Sequence, residues 1–165
     1  MQGKATILGH PIHPILVSFP IAFFAGAFVC DIIYVLHPTP FWPVMSLVLI
    51  GFGIVGGALA AIFGLIDYFT APMSRATKKT AVTHLALAAT TLVLFTIAFF
   101  LRDYDPTSVA GFSLTAVGVL CLGAAGAFGG HLAYHHRIGV EERSDERPAV
   151  RTSPGSPSAW SSGNR

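Results

Sequence analysis

Long apolar stretches, separated by short polar or proline-rich links, occupy most of this chain. Four of them, residues 15–36, 41–69, 81–101 and 109–134, reach the length of about 20 residues that a helix needs to cross the hydrocarbon core of a bilayer. Hydrocarbon offers no hydrogen-bond partner to a backbone N–H or C=O, so each run is expected to be a helix that satisfies its own backbone. His37-Pro38-Thr39-Pro40 links the first two, and its prolines stop one helix before the next begins. Links this short make sequential neighbours antiparallel hairpins. The expected fold is therefore all-α, an integral membrane four-helix bundle within residues 1–140. Beyond Val140 the chain turns to Glu, Arg, Ser, Pro and Gly. Such a segment buries too little apolar surface to offset its ordering entropy, and residues 141–165 read as a disordered tail. No tandem soluble repeat stands out.

The sparse charges orient the bundle. With four spans, the N-terminus, the second link and the tail share one side. That side carries Lys4, Arg75, Lys78, Lys79, Arg137 and the tail arginines. The other side carries Arg102, in a link that also holds Asp103 and Asp105. The positive-inside rule then places both termini in the cytoplasm. Over the whole chain 53% of residues are hydrophobic and 11% charged, against about 25% charged in a soluble domain. No basic stripe interleaved with aromatics suggests nucleic-acid binding. The first run is longer than a signal-peptide core, lacks a small-x-small cleavage site and reads as a retained helix. Cys30 and Cys121 lie inside apolar runs without a Cys-x-x-Cys partner and read as packed free thiols.

Candidate chemistry comes chiefly from histidine. His10 and His13 precede the first run, His84 begins the third, and His131, His135 and His136 end the fourth. Helix connectivity puts these six at one membrane face and His37 at the other. Imidazole ligates metals and haem and titrates near neutrality, so such a cluster is a candidate site. In Gly9-His10-Pro11-Ile12-His13-Pro14 each histidine precedes a proline, which disfavours helical backbone, so both are expected on extended chain before the first helix. His84 is expected about one turn inside the membrane, where an ionisable group needs a partner. His131 and His135 share a helical face, whereas His136 points elsewhere. Asp67, at the same level, could orient a ligating imidazole or pair with a nearby Lys or Arg. Asp31 lies about 8 Å inside the far end of the first helix and is a secondary intramembrane candidate for a proton or quinol role. Pro20 is expected to kink that helix. Gly53/Gly57 and Gly126/Gly130 form Gly-x-x-x-Gly pairs, suited to tight helix packing, to clearance for a flat cofactor or to a homo-oligomer seam. Neither a Ser-His-Asp order, nor a Walker loop, nor a zincin His-Glu-x-x-His occurs, which argues against a hydrolase.

Three segments, GHPIHPILVSFPIAFF (9–24), GLIDYF (64–69) and GGHLAYHHRIGV (129–140), resemble a bacterial family of small membrane proteins, the domain of unknown function two-two-three-one. The resemblance implies a four-span fold, motif positions at His10, His13, Asp67 and His136, and relaxed requirements at His131 and His135. It also implies relatives fused to Rieske iron–sulfur or cytochrome c domains, and hence a membrane electron-transfer context. This chain carries no such domain, so a redox partner would be a separate protein.

These readings point to a b-type haem module for electron transfer, with ligands drawn from His13, His84, His131 and His136. A divalent-metal-binding or transport protein using His10, His13, His84 and Asp67 is the alternative. A third reading is an accessory membrane subunit that binds no cofactor, whose histidines are interfacial.

Overall fold

The computed structural model describes residues 6–7 and 10–134. A two-residue antiparallel ladder, β1 (Thr6–Ile7) with β2 (His10–Pro11), leads into α1 (Ile12–Leu16) and α2 (Ser18–Leu36). Then follow α3 (Phe41–Thr70), α4 (Arg75–Tyr104) and α5 (Val109–Tyr134). Residues 12–36, 41–70, 75–104 and 109–134 make four helical segments long and apolar enough to cross a membrane. The first is interrupted at Val17, which keeps right-handed helical backbone. The break lies three residues before Pro20, whose missing N–H leaves the carbonyl one turn earlier without its usual donor.

Both ends of α4 differ from the sequence expectation. α4 begins at Arg75, so Arg75, Lys78 and Lys79 lie on its first turns instead of in a link. Ser74 makes this possible, because its hydroxyl accepts the Thr77 N–H at 3.1 Å and caps the helix. α4 also runs on to Tyr104, which carries Arg102 into the helix and out of the expected link. The chain then turns at Asp105, whose carboxylate accepts both the N–H and the hydroxyl of Thr107 at 3.0 and 2.8 Å. Those bonds hold the Asp105 carboxyl below its ordinary pKa.

The helices form two hairpins, α2 with α3 and α4 with α5, which pack against each other mainly along α3 with α4 and α2 with α5, while long side chains of α2 and α4 meet between them. Large apolar side chains such as Val35, Phe52, Phe69, Val93 and Leu120 point outward, as a lipid-facing surface requires. The interior is built from small residues and a few rings. Ala27, Ala60, Ala98 and Ala125 are buried, and Phe24 of α2 stacks on Phe95 of α4 with centroids 3.8 Å apart. Each ring lies against a glycine of its own hairpin partner, Phe24 on Gly53 and Phe95 on Gly118. A Cβ on Gly118 would stand 2.7 Å from the Phe95 ring, so the close approach depends on glycine there. Gly123, Gly126 and Gly130 of α5 border open space instead.

Candidate functional site

Polar side chains of α4 meet those of the first span at both ends of the bundle, on α1 at one end and on α2 at the other. At the end where α4 begins, His13 and His84 face each other with ring centroids 6.3 Å apart and planes at 82°. His13 belongs to α1, not to the extended lead-in the two His-Pro pairs suggest; only His10 keeps extended backbone, on β2. Pro14 does not prevent this, because it falls in the first turn, where a missing N–H breaks no helical bond. His84 lies more than two turns into α4, deeper than expected, because the helix starts earlier.

The two imidazoles are held in the same way. His13 Nδ1 is 2.8 Å from the Ala60 carbonyl of α3, and His84 Nδ1 is 2.8 Å from the Ala125 carbonyl of α5. A carbonyl only accepts, so Nδ1 carries the proton in both rings. In the neutral ring this leaves the Nε2 lone pair available for another hydrogen-bond donor or a metal. One helical turn beyond each carbonyl stands a glycine that makes room for the ring. A Cβ on Gly64 would be 2.9 Å from His13 Cε1 and Nδ1, and one on Gly129 would be 3.0 Å from His84 Cε1. Tautomer and ring position are thus set by main-chain features of two further helices.

The other expected ligands that the structure describes are placed differently. His131 is exposed on the last turn of α5. His10 is exposed on the strand ladder. Asp67 is half-buried near the end of α3, close enough for its charge to act on His13. Among the described residues no group of three or more His, Cys, Asp or Glu side chains gathers into a metal site. His135 and His136 lie outside the described residues.

At the opposite end Asp31 of α2 meets Arg102 of α4. The guanidinium forks onto the carboxylate, Nη2 to Oδ1 at 2.7 Å and Nη1 to Oδ2 at 2.9 Å. Nη1 also lies 3.3 Å from the Thr115 hydroxyl, which itself donates to the Gly111 carbonyl at 3.0 Å. The Phe112 ring covers the guanidinium at 4.5 Å. Gly111 is required here, because a Cβ at that position would overlap the Arg102 stem. Arg102 is 0% exposed and Asp31 5%. Among the described residues, Arg102 Nε is a buried donor without a hydrogen-bond partner. Arg102 as the partner of Asp31 was hidden in the sequence behind the nearer Asp103 and Asp105.

Residues 9–142 match the family described as predicted membrane protein, DUF2231. The chain belongs to this family. Among curated proteins and solved structures nothing matches it. The DUF2231 match spans all four long helices, and the histidine pair and the Asp31–Arg102 clasp both lie within the matched residues. Membership establishes a predicted membrane protein of unknown function, and four membrane-length helices agree with it.

Proposed function

We propose that this DUF2231 protein is a one-electron transfer module of the bacterial inner membrane that holds a b-type haem between His13 and His84. The observation that carries the reading is the spacing of the two rings. A ligating imidazole nitrogen sits ~2 Å from its metal and ~1.2 Å from its own ring centre, so two imidazoles on opposite sides of one ion have centres ~6.4 Å apart. The observed 6.3 Å matches that separation. Haem iron needs only two protein ligands, because the macrocycle supplies the other four. Each ring also has its Nδ1–H committed to a carbonyl, which orients the imidazole and raises the basicity of Nε2. When bound, haem supplies the one-electron redox change; the protein's part is to hold both rings in register and exclude water.

Protein purified from membranes of its own host is expected to show a Soret band and, on reduction, a sharp α-band. Absence of both, even after haem is supplied during expression, would overturn the reading.

A divalent ion on the Nε2 atoms of His13 and His84 is the second reading, favoured by the Nδ1–carbonyl bonds that fix both tautomers, with His10 and Asp67 not gathered onto it. Elemental analysis of the same preparation separates it from haem. A separate redox protein is the partner the first reading requires, and the open Gly123/Gly126/Gly130 face is where a homo-oligomer would form.

The histidine end is assigned to the cytoplasm. The Lys/Arg bias supports this, and pairing of Arg102 with Asp31 leaves still less free positive charge at the other end. A cysteine replacing Thr107 is expected to react with an impermeant thiol reagent on intact spheroplasts, and one replacing Lys78 only after lysis. The reverse pattern would invert the assignment.

A further inference from the structure

Three pairs of residues meet between the first span (α1 and α2) and α4, and their spacing in the sequence is the same. His13 and His84, Phe24 and Phe95, and Asp31 and Arg102 are each 71 positions apart. They lie at the two ends and in the middle of the interface, at 6.3 Å between ring centroids, 3.8 Å between ring centroids and 2.7 Å from N to O. A residue touches its own equivalent only along a two-fold axis, as at the centre of a symmetric dimer interface.

The second helix of each hairpin repeats the relation at a shift of 65, from Ala60 to Ala125 and from Gly64 to Gly129. These residues do the same work in each half, one carbonyl bonding the imidazole and one glycine seating it. Gly53 and Gly118, which receive Phe24 and Phe95, obey the same shift. The difference between the shifts has a structural origin. Under these equivalences α2 runs three residues further than α4, and α3 starts three residues earlier than α5, both at the Asp31–Arg102 end. Leu16 and Leu87, Ala27 and Ala98, and Phe28 and Phe99 are further identities in the same register.

We infer that the chain is a fused pair of two-helix hairpins related by a two-fold axis along the membrane normal, and that its ligand site stands on this axis, taking one equivalent imidazole from each half. Both hairpins start from the histidine end, so the repeats are parallel. The statement about the ligand rests on the haem reading; the two-fold relation does not. Asp31 and Arg102 are the departure from symmetry. Two identical halves would put like charges together on the axis, whereas a fused chain can place opposite ones there. Each charge has its own backing. Arg102 has Gly111 and Thr115, and the equivalent positions beside Asp31 are Ser46 and Ile50, both fully buried. Ser46 donates to the Ala27 carbonyl instead of making room for a long side chain.

The two-fold relation specifies which residues must move if the clasp is turned round. Asp31→Arg with Arg102→Asp alone sets the new arginine against Ser46 and Ile50, where Arg102 has Gly111 and the Thr115 hydroxyl. Adding Ser46→Gly, Gly111→Ser, Ile50→Thr and Thr115→Ile moves the whole setting across the axis. In detergent, the two-residue exchange is expected to lower the melting temperature, and the six-residue exchange to regain at least half of the loss. A six-residue protein no more stable than the two-residue one, or a two-residue exchange as stable as the parent, would overturn the inference. The haem reading fails on a different readout, the absence of a Soret band from the unmodified protein.

Discussion

Replacing Arg102 by methionine is expected to destabilise the folded bundle by about 3–5 kcal/mol, the range seen when one member of a buried ion pair is removed. The cost arises at Asp31. Its two carboxylate oxygens accept from Arg102 Nη2 and Nη1 at 2.7 and 2.9 Å, and it is only 5% exposed. Without the guanidinium it must stay charged in a low-dielectric setting or take up a proton. Either route removes stability, and lipid around the helix ends supplies no substitute partner. In a detergent melt the loss corresponds to a fall on the order of 10 °C. Removing both charges, Asp31→Leu with Arg102→Met, is expected to restore much of it, because an apolar pair carries no desolvation cost. A single Arg102→Met protein that melts with the parent would show that the clasp contributes nothing to the fold.

The second large effect is expected at the other end, with a different signature. His13→Ala and His84→Ala should each weaken haem retention at least ~100-fold, beyond the 10–100-fold typical when only an outer partner of a ligand is lost. Helix content should persist in both. Truncating either ring leaves one carbonyl, of Ala60 or Ala125, without its extra donor but strands no charge. His131→Ala is the control, since that side chain is exposed on the last turn of α5 and should leave the spectrum unchanged. Loss of the Soret band with retained folding would separate binding from stability. An unaltered band in the His13→Ala/His84→Ala double variant would place any haem elsewhere.

The two ends therefore divide the work in physical terms. The Asp31–Arg102 pair is a charge clasp whose removal is read in stability. On the haem reading, the His13–His84 pair is a tautomer-fixed couple whose removal would be read in ligand retention. The same interval, about 27 Å at 1.5 Å per residue, separates the clasp from the histidines along α1 and α2 and along α4. Stacked Phe24 and Phe95 fill the axis between them. This separation lets either end be altered with the other as an internal control.

Much of this protein was legible without coordinates. Span number and span identity follow from apolar length alone, because a bilayer admits few backbone arrangements, and α5 occupies the 109–134 predicted for it. The break near Pro20 follows from a missing N–H. Local composition misplaced the start of α4, because Arg75, Lys78 and Lys79 read as a link while the Ser74 cap makes them helical. What the sequence could not rank was which histidines meet, since six of them share one end by connectivity. Helix rotation decides that. It turns His13 and His84 toward each other across the interface and leaves His131 outside. Partner choice was equally non-local. Asp31 takes Arg102 at a separation of 71 residues, although Asp103 and Asp105 stand nearer to that arginine along the chain. The common spacing of the three axial pairs was present in the sequence, yet each half shares only scattered identities with the other. Lipid-facing positions accept any apolar side chain, so the repeat survives where residues touch across the axis, and those contacts exist only once the helices have packed.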